Sequence, residues 1–309
     1  MFKFIVQKIL LAIPVLWIVA TVTFFLIRFV PGGPFDNERN LPEEIMHNLK
    51  AKYKLDKPLW YQYTFYLNRL AKGDLGISYK YTNRTVTQIL QQAFPVSAEL
   101  GLSALSLAIV SGILFGSVSA LNRGKFIDFL LMTIATAGIS IPTFVFGVML
   151  MYIFGLQLKI LPVGLWESPR HAILPIITLA LAPTANIARL SRSSILDNLN
   201  KDHVMVARSL GFSETKIFFT HVLRNSLIPI LTILGPMTAL LLTGSFVVEY
   251  IFAIPGMGRF FITAVANRDY DLVIGTTLVF ALVLLFSNGI IDIFYRLVDK
   301  RILHSSGNL

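Results

Sequence analysis

The stretch Leu100-Gly-Leu-Ser-Ala-Leu-Ser-Leu-Ala-Ile-Val-Ser-Gly-Ile-Leu-Phe-Gly-Ser-Val-Ser-Ala-Leu121 carries no charge over its whole length. The hydrocarbon core of a bilayer requires about 20 consecutive apolar residues in helical form, so this run reads as a membrane span. Five similar runs lie around it, at 9–27, 129–155, 172–188, 229–254 and 272–291. The run at 172–188 is interrupted by Pro175 and Pro183, and the one at 229–254 contains a single acid, Glu249. The expected fold class is therefore all-α and polytopic, with six transmembrane helices. Composition agrees: the 309 residues are 55% hydrophobic and only 14% charged, against roughly 25% charged in a soluble domain.

The first run is longer than a signal-peptide core, lacks a small-x-small cleavage site and leads into Pro31-Gly-Gly-Pro34. It reads as an uncleaved signal anchor. Lys and Arg near span ends set orientation. With the N-terminus inside, the short inner segments hold Lys8, Arg123, Lys125, Arg192, Lys201 and Arg224 among others, and the short outer loops only Lys159, Arg170, Arg259 and Arg268. Both termini are thus expected on the cytoplasmic side. The net charge of +10 is then explained by topology and anionic lipid rather than by nucleic acid.

Ala104, Ala108, Gly112, Gly116 and Ala120 recur every four residues. Such a stripe lets a second helix backbone approach closely, which assigns Gly112 and Gly116 to helix packing ahead of any direct substrate role. Pro142, Pro175 and Pro183 should bend their spans, as kinks or as the lining of a cavity. Residues 31–96 read as a small, mostly helical outer segment. Within it Leu59, Tyr63, Tyr66, Leu67 and Leu70 share one apolar face, Gly73-Asp-Leu-Gly76 makes a turn, and Val86, Ile89 and Leu90 begin another short helix.

Between the fourth and fifth spans, Asp202-His-Val-Met-Val-Ala-Arg-Ser-Leu-Gly-Phe-Ser213 reads as helix, turn, helix. Val204, Ala207 and Leu210 share a face. Gly211 stands where a helix ends and a left-handed residue is needed. Ser213 can cap the next helix, with Glu214 in its first turn. The fifth span is expected to open at Ile228-Pro229. A rigid elbow of this kind can transmit a push from a soluble partner; a tight connection lying on lipid headgroups fits the same pattern.

Ala207-Arg-Ser-Leu-Gly211, then His221-Val-Leu-Arg-Asn225 and Ile228-Pro229, resembles the cytoplasmic signature loop of binding-protein-dependent ABC importer permeases in their peptide branch. Met205 and Val206 replace the acid and first alanine of the wider family pattern. Arg28-x-x-Pro-Gly-Gly-Pro-Phe35, Glu38-Arg-Asn-Leu-Pro42, Gly73-Asp-Leu-Gly76, Gly244-Ser-x-Val-Val-Glu249, Ile254-Pro-Gly-Met-Gly258 and Asn267-Arg-Asp-Tyr270 extend the resemblance along nearly the whole chain, toward the oligopeptide B-subunit family. The resemblance implies a type I importer permease fold in a bacterial inner membrane. Residues 1–30 would be the first helix and 31–96 a periplasmic helical insertion. Residues 97–303 would be the transmembrane core, including a coupling loop at 194–228, and 304–309 a cytoplasmic tail. It also implies a homologous second permease, two cytoplasmic ATPases holding ATP and Mg, and a periplasmic or extracellular peptide-binding protein.

The chain itself has no phosphate-binding loop: its one Gly-Lys pair, Gly124-Lys125, is followed by Phe126 and preceded by Ser119 where the first glycine should stand. The resemblance makes Ala207, Arg208, Gly211, Phe212, Ser213 and Glu214 the candidate ATPase-coupling residues. Ser245, Glu249 and Asn288 are polar groups in or near spans, fit for pathway lining or for interhelical hydrogen bonding. Asn267, Arg268 and Asp269 form an outer gate or an ordered loop. No catalytic residue, metal site or cofactor is expected in this chain: it has no Cys, its His are scattered, and the spans hold no nucleophile–base pair. Dipeptide, nickel-chelate or glutathione cargo remains the nearest alternative. A passive channel and an intramembrane enzyme are the more distant ones.

Overall fold

The computed structural model describes residues 2–35, 42–81 and 83–298. The 304–309 tail and the 38–41 part of the second motif lie outside the described residues. Thirteen α-helices are described: α1 Phe2–Phe29, α2 Glu43–Lys52, α3 Leu59–Ala71, α4 Val86–Leu121, α5 Phe126–Ser140, α6 Thr143–Leu150, α7 Pro169–Leu199, α8 Asp202–Ser209, α9 Glu214–Ile217, α10 Arg224–Leu242, α11 Phe246–Ile251, α12 Met257–Ala266 and α13 Tyr270–Val298. Two π-helical turns, Met151–Gln157 and Phe218–Leu223, continue α6 and join α9 to α10. There is no β-strand among the described residues, only one isolated bridge from Ile77 to Thr85.

Five helices are long and apolar enough to cross a membrane, and the pair Phe126–Ser140 and Thr143–Gln157, bent by 106°, makes a sixth when counted as one broken span. Pro142 therefore breaks its span, as expected. Helix α7 runs unbroken through Pro175 and Pro183. Two helices start earlier than the sequence suggested. Val86 does not open a separate short helix, because α4 passes through Pro95 into the second span. The fifth span does not open at Ile228-Pro229 either; its helix begins at Glu214 and carries Pro229 inside. A membrane helix tolerates such prolines where its neighbours re-satisfy the freed carbonyl.

The chain forms two compact units, Met1–Val96 with Pro255–Val283, and Ser97–Ile254 with Leu284–Leu309. In the first, Phe24 and Ala20 of α1 bury against Tyr66 of α3 and Ile274 and Leu278 of α13, with Tyr63, Leu67 and Leu70 at the edge. The apolar face read from α3 is thus real, except that Leu59, the helix's first residue, is exposed. A second cluster sets Val86, Ile89, Leu90 and Ala93 against Met257 and Ala264 of α12 and Leu272 and Val273 of α13. Helix α12 is a short apolar helix absent from the sequence reading.

In the second unit the small-residue stripe of α4 meets α7. A Cβ on Gly112 would stand 2.7 Å from the Cβ of Ile187, and one on Gly116 2.4 Å from the Cβ of Ser191 and 2.5 Å from the Ala188 carbonyl. Any larger residue there would force the helices apart.

Candidate functional site

The elbow at 202–223 is built almost wholly from local interactions. Helix α8 ends on paired backbone bonds: the Phe212 N–H donates to the Ala207 carbonyl at 3.3 Å and the Gly211 N–H to the Arg208 carbonyl at 3.0 Å. This Schellman arrangement needs a left-handed residue, and Gly211 supplies it with φ +80°. No atom lies within 4 Å of where its Cβ would be, so the requirement is backbone conformation, not room. The Ser213 hydroxyl accepts from the Lys216 N–H at 3.4 Å and caps α9. Arg208 and Glu214 form a two-pronged ion pair across the turn, at 2.6 and 3.0 Å. The Lys216 ammonium sits 4.2 Å from the centre of the Phe212 ring, which in turn stacks on His221.

Val204, Ala207, Ile217 and Val222 are buried with Ala120 of α4 and Ile195 of α7. The elbow is therefore rooted in the core of its own unit, and α9 runs through the π-helical turn into α10. Leu210 does not share the buried face as expected: at the C-cap the chain has left helical geometry, and Leu210 is 68% exposed. Met205 and Val206 are exposed as well. Contiguous exposed apolar groups rimmed by charge are a mark of protein contact.

The candidates at 267–269 have a different construction. Asp269 is fully buried. It accepts from the Ser78 hydroxyl in a short contact, from the Tyr79 N–H at 3.1 Å and the Lys80 N–H at 3.4 Å, and caps α13 through the Leu272 N–H at 3.4 Å. Burial raises its carboxyl above the ordinary carboxylate value, and these four donors oppose the shift. Two residues on, Asp271 accepts from Arg69 at 3.2 Å and the Ile77 N–H at 3.4 Å, while Arg69 also binds Asp74 at 2.9 Å. Asp74 accepts from the Gly76 N–H at 2.9 Å. The segment 77–80, just after the 73–76 turn, thus holds Asp269 of the 267–270 motif and Asp271 of the first turn of α13. Arg268 has a left-handed backbone, φ +54°, and donates to the Gly33 carbonyl at 3.4 Å. Asn267 is the C-cap of α12.

Ser245 and Glu249 belong to the other compact unit. The Ser245 hydroxyl accepts from the Val248 N–H at 3.3 Å and caps α11. Glu249, fully buried, accepts from the Ser97 hydroxyl at 2.7 Å and fills the space beside Gly244. The Ser97–Glu249 bond ties α4 to α11, whereas the Ser245 bond is local to α11. Asn288 is half-buried on α13.

Besides the Arg69–Asp271 contact, sequence reasoning missed an ionic site in this unit. Asp128, buried in the first turn of α5, takes a two-pronged bond from Arg192 of α7 at 2.7 and 2.8 Å, with further bonds from the Ser119 hydroxyl at 2.5 Å and the Gly124 N–H at 2.9 Å. The only signal was an isolated acid directly ahead of a long uncharged run. Among the described residues no group of three or more His, Asp or Glu side chains is placed to hold a metal.

The family of binding-protein-dependent transport system inner membrane components matches residues 112–304, and its N-terminal membrane-component counterpart matches residues 1–101. The chain is 43% identical over 291 residues to the dipeptide transport system permease protein DppB of Bacillus subtilis, covering 94% of each protein. It is 41% identical over 304 residues to the oligopeptide transport system permease protein OppB of Haemophilus influenzae and to that of Escherichia coli, covering 98% of this chain and 99% of theirs. Among solved structures, an inward-facing MetNI methionine ABC transporter superposes with a TM-score of 0.57 at 16% identity, over 69% of this chain and 97% of that one. An amino acid ABC transporter crystallised with histidines gives 0.55 at 18% identity, over 68% and 94%. At such identities the likeness speaks for the fold alone.

Proposed function

This chain belongs to the binding-protein-dependent transport system inner membrane components, and on that premise we propose that it forms half of the membrane pathway of an ATP-driven oligopeptide importer. It is a transport permease subunit and not an enzyme. The observation that carries the oligopeptide reading is the 41% identity to OppB proteins across 98% of the chain. The 43% identity to a DppB protein supports dipeptides as the second reading.

In this reading the protein lies in a bacterial inner membrane with both termini cytoplasmic. It pairs with a homologous permease and receives peptide from an external binding protein. Two ATPase subunits supply ATP and Mg chemistry, since this chain has no loop to cradle nucleotide phosphates. The elbow docks on an ATPase through Met205, Val206, Leu210 and Phe212. Gly211 and Ser213 fix its shape, and the Arg208–Glu214 pair braces the turn. A displacement of α9 then reaches α10 without a slack joint.

The test is uptake in proteoliposomes holding this chain, its companion permease, the ATPases and the binding protein. Labelled oligopeptide should accumulate only with ATP on the ATPase side. Accumulation of dipeptide alone would replace the first cargo by the second, and accumulation without ATP would overturn the energetic scheme.

A further inference from the structure

Helix α5 presents three unlike faces. Asp128, Ala135 and Gly138 are buried, and a Cβ on Gly138 would lie 3.1 Å from Leu181 of α7. Ile127, Leu130 and Ile134 are exposed and purely apolar, as befits contact with lipid. The third face carries Phe129, Met132, Thr133, Thr136 and Ser140, and walls a groove of about 770 Å³. At 100° per residue the groove face points away from both the buried and the apolar residues. Lys125, Asp128 and Arg192 close one end of the groove, and the last two neutralise each other in their two-pronged bond.

The hydroxyls suit a chain that must be read without regard to its side chains. Thr136 and Ser140 donate to the Met132 and Thr136 carbonyls, at 2.8 and 2.9 Å. Their donors are thereby satisfied, and a hydroxyl oxygen keeps a lone pair that any passing backbone N–H can use. From Thr133 to Ser140 the helix rises about 10 Å, the length of roughly three residues of extended peptide. Phe129 and Met132 add apolar contact, and a thioether adapts to varied shapes. All the lining except Arg192 comes from 124–140, so this chain supplies one wall of a conduit.

We propose that this face of α5 lines the peptide pathway, with Thr133, Thr136 and Ser140 as a ladder for the peptide backbone and the mutually neutralised Asp128–Arg192 pair, beside Lys125, at its end. The proposal rests on the peptide-permease reading above.

The chain has no cysteine, so every introduced thiol is unique in this subunit. Thr133→Cys, Thr136→Cys and Ser140→Cys are compared with Leu130→Cys and Ile134→Cys in the complete reconstituted importer, using a charged, membrane-impermeant thiol reagent. Groove thiols should react at least about tenfold faster than the lipid-face controls, because the attacking thiolate forms only where water reaches it. Transported peptide should slow the reaction, and modification should abolish uptake. Groove thiols that react no faster than the controls, or that react without loss of uptake, overturn the proposal. Uptake by the unmodified variants separates the two claims. Peptide uptake with inert groove thiols removes only the pathway assignment, whereas no ATP-dependent peptide uptake by the unsubstituted complex removes the permease reading itself.

Discussion

The elbow and the Asp269 latch are both turns that follow a helix through a left-handed residue, yet they are held in opposite ways. At the elbow the residue is Gly211, and the bonds that fix it span a handful of positions. At the latch it is Arg268, and the bonds that fix its neighbour Asp269 reach back to Ser78, Tyr79 and Lys80. The elbow keeps a charged, apolar-studded surface in the open; the latch buries its carboxylate completely. A turn stabilised locally can meet a partner without surrendering contacts elsewhere. A turn stabilised at long range closes a structure and has little surface to offer.

That contrast predicts that stability and coupling respond to different substitutions. The largest stability effect should come from Asp269→Ala, which strands buried donors and costs about 3 kcal/mol. Thermal unfolding in detergent should show it, while uptake per folded molecule stays near normal; lost uptake with an unchanged melting temperature would make the latch a moving gate. Gly211→Val should cost about 1–2 kcal/mol of backbone strain and abolish ATP-dependent uptake. Gly211→Asn, which tolerates the left-handed region, should retain uptake, and equal loss in both would assign Gly211 a direct contact rather than a conformational role. Arg268→Gly trades relief of left-handed strain against its bond to Gly33, so stability should stay within about 1 kcal/mol; retained uptake marks the 267–269 segment as an ordered loop. The smallest effect should be that of Arg208→Ala. Its exposed ion pair is expected to change uptake by less than about twofold, and a larger loss would mean that Arg208 meets the ATPase directly.

The same contrast accounts for what could be read from the sequence. Gly211 and Ser213 were legible because capping is a short-range code. The Gly112 and Gly116 stripe was legible because its period is helical. Leu210 was misplaced, since the helical period was carried one residue beyond the point where the C-cap leaves it. A helix beginning at Val86 was legible, but its continuity into the second span was obscured by Pro95, which punctuates a soluble helix but not this one. The grip of 77–80 on Asp269 and Asp271 was invisible: the neighbouring motifs stood out, but nothing in a single chain states which distant segment an acid will bind. Asp128 and Arg192 were missed for that reason too.

The latch also has a consequence for how the protein is made. Ser78 and Asp269 are 191 positions apart, and a ribosome adding about 5–20 residues per second needs roughly 10–40 seconds to pass from one to the other. Throughout that interval the serine and the amides of Tyr79 and Lys80 wait without the acid that will bind them. A chain cut short before residue 269 can never close this contact, so nascent and truncated copies leave the Ser78 hydroxyl and the Tyr79 amide without the carboxylate they bind in the finished fold.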